Sequence, residues 1–272
     1  TLIDGVNIAD RLTGATPTSD YFSYIRGSIT DTGYETYHGT GRHGIYASGG
    51  HHHVFDGVLF DNNWAGWSLS LRRGDMTVKN CTFKHSTSAS SSTMANTKIG
   101  IGYCNEDPTN AKRSVVIYNN LIVSDGSTGI YVGGVNDSPA NGGEGQADPH
   151  NKFYIFNNTF VNAPISFTTG SDKLYNDAYV WNNIFSSSSV GLYTGGGSYK
   201  VTSNGWWNST PPSYNTSTGD VTVNPNLSSA TNYDTTVSAY VKGGILSCGG
   251  YTVPWGSSTN PPSIGWTHTG RP

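Results

Sequence analysis

Val180-Trp-Asn-Asn-Ile-Phe185 decides the fold. Alone it is a short apolar strand broken by two asparagines. Ile155-Phe-Asn-Asn-Thr-Phe160 and Ile117-Tyr-Asn-Asn-Leu-Ile122 repeat it upstream. Val78-Lys-Asn-Cys-Thr-Phe83 and Val54-Phe-Asp-Gly-Val-Leu59 are looser copies, and weaker ones open at Leu2, Tyr24 and Val201. The eight copies begin at residues 2, 24, 54, 78, 117, 155, 180 and 201, with spacings of 22, 30, 24, 39, 38, 25 and 21. A base period slightly above twenty, stretched where loops are inserted, is the signature of a solenoid.

A fainter motif follows six of the copies: Gly44-Ile-Tyr-Ala47, Gly66-Trp-Ser-Leu69, Gly100-Ile-Gly-Tyr103, Gly129-Ile-Tyr-Val132, Pro164-Ile-Ser-Phe167 and Gly191-Leu-Tyr-Thr194. Each unit then reads as strand, tight Asn turn, strand, loop, strand, loop. Stacking places Ile45, Ile101, Ile130, Ile165 and Leu192 in one internal column and Val54, Val78, Ile117, Ile155 and Val180 in another. The paired asparagines suit the turn, because Asn tolerates left-handed backbone and bonds its own backbone. Stacked Asn119, Asn157 and Asn182 are placed to bond one another from coil to coil.

Over residues 1 to 205 this repeat resembles the right-handed parallel β-helix proteins of the pectate-lyase-like superfamily. Gly219-Asp-Val-Thr-Val-Asn-Pro225 and Pro262-Ser-Ile-Gly265 are similar to the closing segments of such proteins. The resemblance implies an all-β, single-domain right-handed parallel β-helix of about eight coils over 1–205. Residues 206–272 then form an irregular C-terminal cap, with Trp206-Trp207, the Pro-rich segment 209–216 and Trp255 over the open end. It implies an extracellular protein. It does not fix an activity, since one solenoid hosts many functions. Three short strings also occur in mannuronan epimerases or alginate lyases: Asp148-Pro-His150, Arg42-His-Gly44 and Asn141-Gly-Gly-Glu144. They lack the lead-in residues or the order of those motifs and carry no weight.

Composition agrees with one elongated domain. Only 12% of the 272 residues are charged and the net charge is −3, which points away from a nucleic-acid partner. No apolar run is long enough to span a bilayer. The chain begins at Thr1, which reads as the start of a processed form. Of the three cysteines, Cys81 lies in the repeat and reads as a small buried residue, while Cys104 and Cys248 are free to pair.

The long insertions fall in the first four coils, so the functional half is expected there. If Ile45, Trp67, Ile101, Ile130, Ile165 and Leu192 point inward, then Tyr46, Ser68, Gly102, Tyr131, Ser166 and Tyr193 point outward. Just ahead of these strands, Arg42, Trp64 and Lys98 stack on successive coils at about 4.8 Å per step. Arg72, Arg73 and the run His51-His52-His53 lie at the other strand end. This is a groove for a polysaccharide or cell-surface glycan, with Trp64, Tyr46, Tyr131, Tyr37, Arg73 and His53 as binding residues. A β-elimination on a uronate needs a cation to neutralise the carboxylate and a base to take the neighbouring proton. Arg42 or Arg72 serves the first role, and Lys98 or His43 the second. The opposed reading makes Arg42 and Lys98 solvated strand-end charges on a non-catalytic, tailspike-like or adhesive module. A glycoside hydrolase is less favoured, because the repeat strands offer few carboxylates, mainly Asp56, Asp61 and Asp75. Asp4, Arg26 and Asp56 share one turn position and read as a structural charge pair. Glu106, Asp107, Asp137, Glu144 and Asp148 lie on two neighbouring insertions and are candidate oxygen ligands for Ca²⁺.

Overall fold

The computed structural model describes residues 6–8, 23–30, 44–47, 52–61, 67–71, 75–84, 97–102, 114–124, 127–133, 151–167, 176–192, 197–228, 233, 235–241 and 243–266. These residues form an all-β solenoid in which every coil-to-coil strand pair is parallel. It is a parallel β-helix, and parallel crossovers of this kind are overwhelmingly right-handed. Its strands fall in three rows. The first row is Val6–Ile8, Ile45–Ala47, Leu69–Leu71, Ile99–Gly102, Ile130–Gly133, Ile165–Phe167 and Val190–Gly191. The second runs from Ser23–Thr30 and Val54–Asp61 through Met76–Lys79, Ser114–Tyr118, Asn151–Phe156 and Asn176–Trp181 to Tyr199–Thr202. The third starts on the far halves of the same two long strands. It continues through Thr82–Lys84, Leu121–Val123, Thr159–Val161 and Ile184–Ser186 to Gly205–Trp207.

The turn between the second and third rows shows why the repeat carries two asparagines. The first residue of each pair is left-handed: Asn80, Asn119, Asn157 and Asn182 have φ between 51° and 55°. That backbone turns the next side chain inward, beneath the turn. Asn120, Asn158, Asn183 and Asn204 therefore form a buried ladder. Each amide group donates to a backbone carbonyl of the preceding coil, and those of Asn158, Asn183 and Asn204 also to one of their own coil; Asn183 reaches Ile155 (2.9 Å) and Trp181 (3.0 Å). Its Oδ1 accepts the backbone N–H (2.9 Å) and the amide (3.0 Å) of Asn158. The ladder thus lies one residue beyond the expected one. Among the first asparagines, Asn119 donates to Asn80 at 2.7 Å, whereas Asn182 reaches Asn157 only at 3.5 Å and Asn157 donates to the carbonyl of Ser263.

The ladder has two different ends. At its start Cys81 replaces Asn: its N–H donates to Asn120 Oδ1 (2.9 Å), and its thiol faces the carbonyls of Lys79 (3.1 Å) and Phe55 (3.5 Å). At the other end Asp220 accepts the N–H of Asn204 (2.9 Å) and the indole N–H of Trp206 (3.1 Å).

Inside the coils, Phe55, Val78, Ile117, Ile155, Val180 and Val201 form the second-row column, each fully buried. Phe55 takes the place expected for Val54, because Gly57 rather than Asp56 aligns with Asn80, which shifts that copy by one residue. Phe60, Phe83, Ile122, Phe160, Phe185 and Trp206 form the third-row column. Phe60–Phe83, Phe160–Phe185 and Phe185–Trp206 stack at 4.7, 5.0 and 4.6 Å between centroids.

The C-terminal segment differs from a simple end cap. Trp206 and Trp207 belong to the last third-row strand, and Asn215 and Val221 bridge onto the last coil. Tyr240 then fills the space above Gly205. From Gly243 the chain runs back along the outside of the solenoid. Ile245 exchanges two hydrogen bonds with the Asn182 side chain (2.9 and 2.8 Å), and Trp266 N–H donates to Thr159 Oγ1 (2.9 Å). Trp255 packs on Tyr118 and Phe156, on the flank rather than over the open end. The physical reason is the apolar outer side of the second row, which needs cover. Cys248 lies in the same cluster as a buried free thiol, and Cys104 falls outside the described residues.

Asn183→Ala removes two buried acceptors' donor and the acceptor of Asn158. Each orphaned group costs about 1–3 kcal/mol, so chemical denaturation should show a loss of about 3 kcal/mol or more; a loss below about 1 kcal/mol would contradict the ladder's role. Burial pushes the Cys81 thiol from 9.0 up to about 12, outweighing the opposing backbone hydrogen bonds. The raised value means that its contribution is complete below about pH 9 and is lost as pH climbs towards about 12. A thiol reagent at mildly alkaline pH should leave Cys81 unmodified until the chain unfolds, which mass spectrometry of the labelled peptides reads directly.

Candidate functional site

The outer side of the first row departs most from what a solenoid needs. Tyr46, Ser70, Gly100, Tyr131, Ser166 and Gly191 share one outward register position across six coils. The inward neighbours are Ile45, Leu69, Ile99, Ile130, Ile165 and Val190 on one side and Ala47, Leu71, Ile101, Val132 and Phe167 on the other. Three of the expected first-row motifs are therefore displaced by two residues. Gly66, Gly100 and Gly191 give way to Ser68, Lys98 and Ser189 as the residues ahead of the strands. An even displacement keeps each side chain on its face, so Ile101 still points inward.

Trp67 is the exception. It precedes its strand, and Leu69 takes the core position instead. The indole folds over the outside of the sheet onto Gly100, where a Cβ would lie 2.0 Å from Trp67 Cδ2. Gly100 is required here by space, not by backbone angle. Beyond it the indole meets the Tyr131 ring at 5.9 Å between centroids, tilted 49°.

This side is buried although it lies outside the core. Trp67, Ser68, Ser70, Thr97 and Lys98 are each at most 4% exposed, and Lys98 and Ser70 are at 0%. Among the described residues, the Ser70 hydroxyl has no hydrogen-bond partner. Further along the same side, Ser166 is half-buried and Gly191 exposed. Tyr131, half-buried, stands at the boundary between the covered and the open stretch.

Lys98 directly precedes Ile99. Its N–H donates to Thr128 O (3.0 Å) and its carbonyl accepts from Leu69 N–H (2.9 Å). It is not a solvated strand-end charge. Lys98 lies one residue ahead of Ile99, whereas in sequence Arg42 and Trp64 lie three and five residues ahead of Ile45 and Leu69. The expected stack of Arg42, Trp64 and Lys98 falls partly outside the described residues. His53 is fully buried in the turn before the second row, where its carbonyl accepts Thr77 N–H at 2.8 Å, away from the first row's outer side. The Tyr46 backbone lies in the first-row strand Ile45–Ala47. Arg42, His43, Trp64, Tyr37, Arg72 and Arg73, and the acids Glu106, Asp107, Asp137, Glu144 and Asp148, fall outside the described residues.

The described carboxylates serve the turns. Asp56 accepts the Asn80 amide (2.7 Å) and pairs with Lys79 (3.4 Å), so the charge pair at this turn is Lys79–Asp56. Asp75 accepts the backbone N–H of Ser114 (3.1 Å). Among the described residues the first row's outer side carries no carboxylate.

The outer side of the second row is a second cluster that sequence reasoning missed. Tyr118, Phe156 and Trp181 stack in line at 5.0 and 4.5 Å, and Tyr251 and Trp255 of the returning segment lie against them. Burial raises the phenols of Tyr118, Tyr154, Tyr179 and Tyr251; Tyr251 and Asp56 add to the shift at Tyr118, and Tyr179 and Asp177 to that at Tyr154. All four stay neutral hydroxyls through the physiological range. The signal was present in the repeat: the residue before each Asn pair faces outward, and it is aromatic three times in succession.

No family model, curated protein or solved structure matches this chain.

Proposed function

We propose that this chain is an extracellular, carbohydrate-active β-helix of the pectate-lyase-like kind. It binds a polysaccharide along the outer side of its first row, over coils one to four. One observation carries the reading: a lysine, an indole and an unpartnered hydroxyl are buried outside the core, on one sheet side, with an accessible tyrosine at their edge. Rings, hydroxyls and cations are the groups that hold sugars: flat faces for the ring, donors for the hydroxyls, charge for carboxylates. In sequence, Arg42 and His43 immediately precede this row's strand at Ile45, Trp64 precedes Trp67, and Arg72 and Arg73 follow Leu71. The acids from Glu106 to Asp148 follow its next strands and are the residues that would hold Ca²⁺.

Cleavage of a uronate polymer by β-elimination is the second reading. The burial of Lys98 on this side favours it, since a lysine taken out of water is a recurrent general base. The Lys98 amine would take the proton next to the carboxylate, and Arg42 or Arg72 would neutralise the charge that develops.

The test is a pull-down against acidic and neutral polysaccharides, with and without Ca²⁺, followed by ultraviolet absorbance of unsaturated products. One polymer should be retained, and Tyr131→Ala should weaken retention roughly tenfold, the equivalent of about 1.4 kcal/mol. Lys98→Met, shown folded by circular dichroism, should abolish any absorbance rise while sparing retention. Retention with a flat trace leaves a non-catalytic glycan-binding module. No retention across the panel defeats the proposal.

A further inference from the structure

A cavity of about 210 Å³ opens on the outer side of the third row, away from the first-row site. Its floor is Leu59, Thr82 and Leu121, which share one outward register position on three successive coils. Asn80 stands at one edge, Lys84 at the other, and Trp266 lines it from the returning C-terminal segment. Its volume is that of about seven waters. That is below the roughly 300–1,000 Å³ of sites for drug-sized ligands, so it suits one ring and its substituents.

The approach of Trp266 is built into the backbone. Gly265 has φ +92°, and a Cβ on it would lie 2.4 Å from Ile184 Cδ1, so only glycine lets the chain pass this close. Gly265 N–H donates to Asn182 O (2.6 Å), and Trp266 N–H to Thr159 Oγ1 (2.9 Å). Lys84, Thr82 and Asn80 keep hydrogen-bonding capacity at the cavity. Among the described residues Lys84 makes no ion pair and the Thr82 hydroxyl makes no hydrogen bond. Asn80 spends one amide proton on Asp56 and one lone pair on Asn119, which leaves one donor.

We infer that this cavity is a second saccharide subsite taking a single hexuronate unit. The indole packs on the sugar ring, Lys84 holds the carboxylate, and Thr82 and Asn80 bond ring hydroxyls. The inference rests on the polysaccharide reading for its class of ligand, and it adds a contact on a different row from the main site. A chain bound at both rows would be held by two linked contacts, each intramolecular once the other forms.

The probes are D-glucuronate and D-galacturonate beside D-glucose and D-galactose, titrated into the intact protein. The readout is the Trp266 indole N–H resonance, assigned from Trp266→Phe. Hexuronates should shift it at concentrations roughly tenfold below those of the neutral sugars. Lys84→Met should erase that preference, and Thr82→Val should weaken all four sugars. Both residues are part-exposed strand positions, so neither change should unfold the chain. Unchanged titrations in both variants, or a resonance unmoved by any sugar, would overturn the subsite. The failures are separable. If wild-type protein retains a polymer while the Trp266 resonance ignores hexuronates, the subsite falls and the first-row reading stands. If hexuronates move Trp266 and no polymer is retained, the reverse holds.

Discussion

Asparagine side chains bonding from one coil to the next are the interaction on which the rest of this structure depends. Within the coils of a solenoid, each coil contacts only its neighbours, so register must be set between adjacent coils. The apolar columns tolerate axial slippage of similar side chains, because Ile, Val, Leu and Phe are nearly interchangeable there. An amide beneath a left-handed turn does not tolerate it. Asn158 must meet both the carbonyl of Ile117 and the amide of Asn183, and a slip by one residue would bury those groups unpaired. From the Cys81 coil to the Asn204 coil the ladder therefore fixes the register, including that of the first row, which has no ladder of its own.

That register divides the outside of the molecule into surfaces with different fates. The second row presents an aromatic stripe, and the returning segment covers it with Tyr251, Trp255 and Val253. The third row is covered by Tyr240, Ile264 and Trp266 as far as Thr159, and past that point the cavity opens. The first row's outer side holds a buried lysine, an indole and a hydroxyl that has no hydrogen-bond partner among the described residues. Under the C-terminal segment the buried polar groups Asn157, Thr159 and Asn182 bond that segment's own backbone. The proposed site is put on the first row because of the lysine and indole buried on its outer side.

The fold was legible because the Asn pair is a short-range signal: left-handed backbone and a buried amide leave little freedom in residue type. Val78, Ile117, Ile155 and Val180 followed from it directly. The first row was legible only by face. Its motif lacks a turn residue as demanding as Asn, so Gly66, Gly100 and Gly191 were aligned two residues out, and Trp67 was set inside when its indole lies outside over Gly100. The return of residues 243–266 along the flank was not legible, since nothing local in Gly244 or Ile245 announces a contact with Asn182 sixty-three positions earlier. The outward aromatics Tyr118, Phe156 and Trp181 were the available clue that something covers them.

The most direct test of the account is residue-resolved amide hydrogen exchange of the native protein. The backbone amides of Asn120, Asn158 and Asn183 each donate to an Asn Oδ1 on the next coil. If the ladder holds the register, these three should exchange only through global unfolding, with opening free energies equal to the whole stability. They should match core-strand amides such as that of Ile155. If they instead exchange through local opening, well ahead of those core strands, the ladder is decoration and the register rests on the apolar columns.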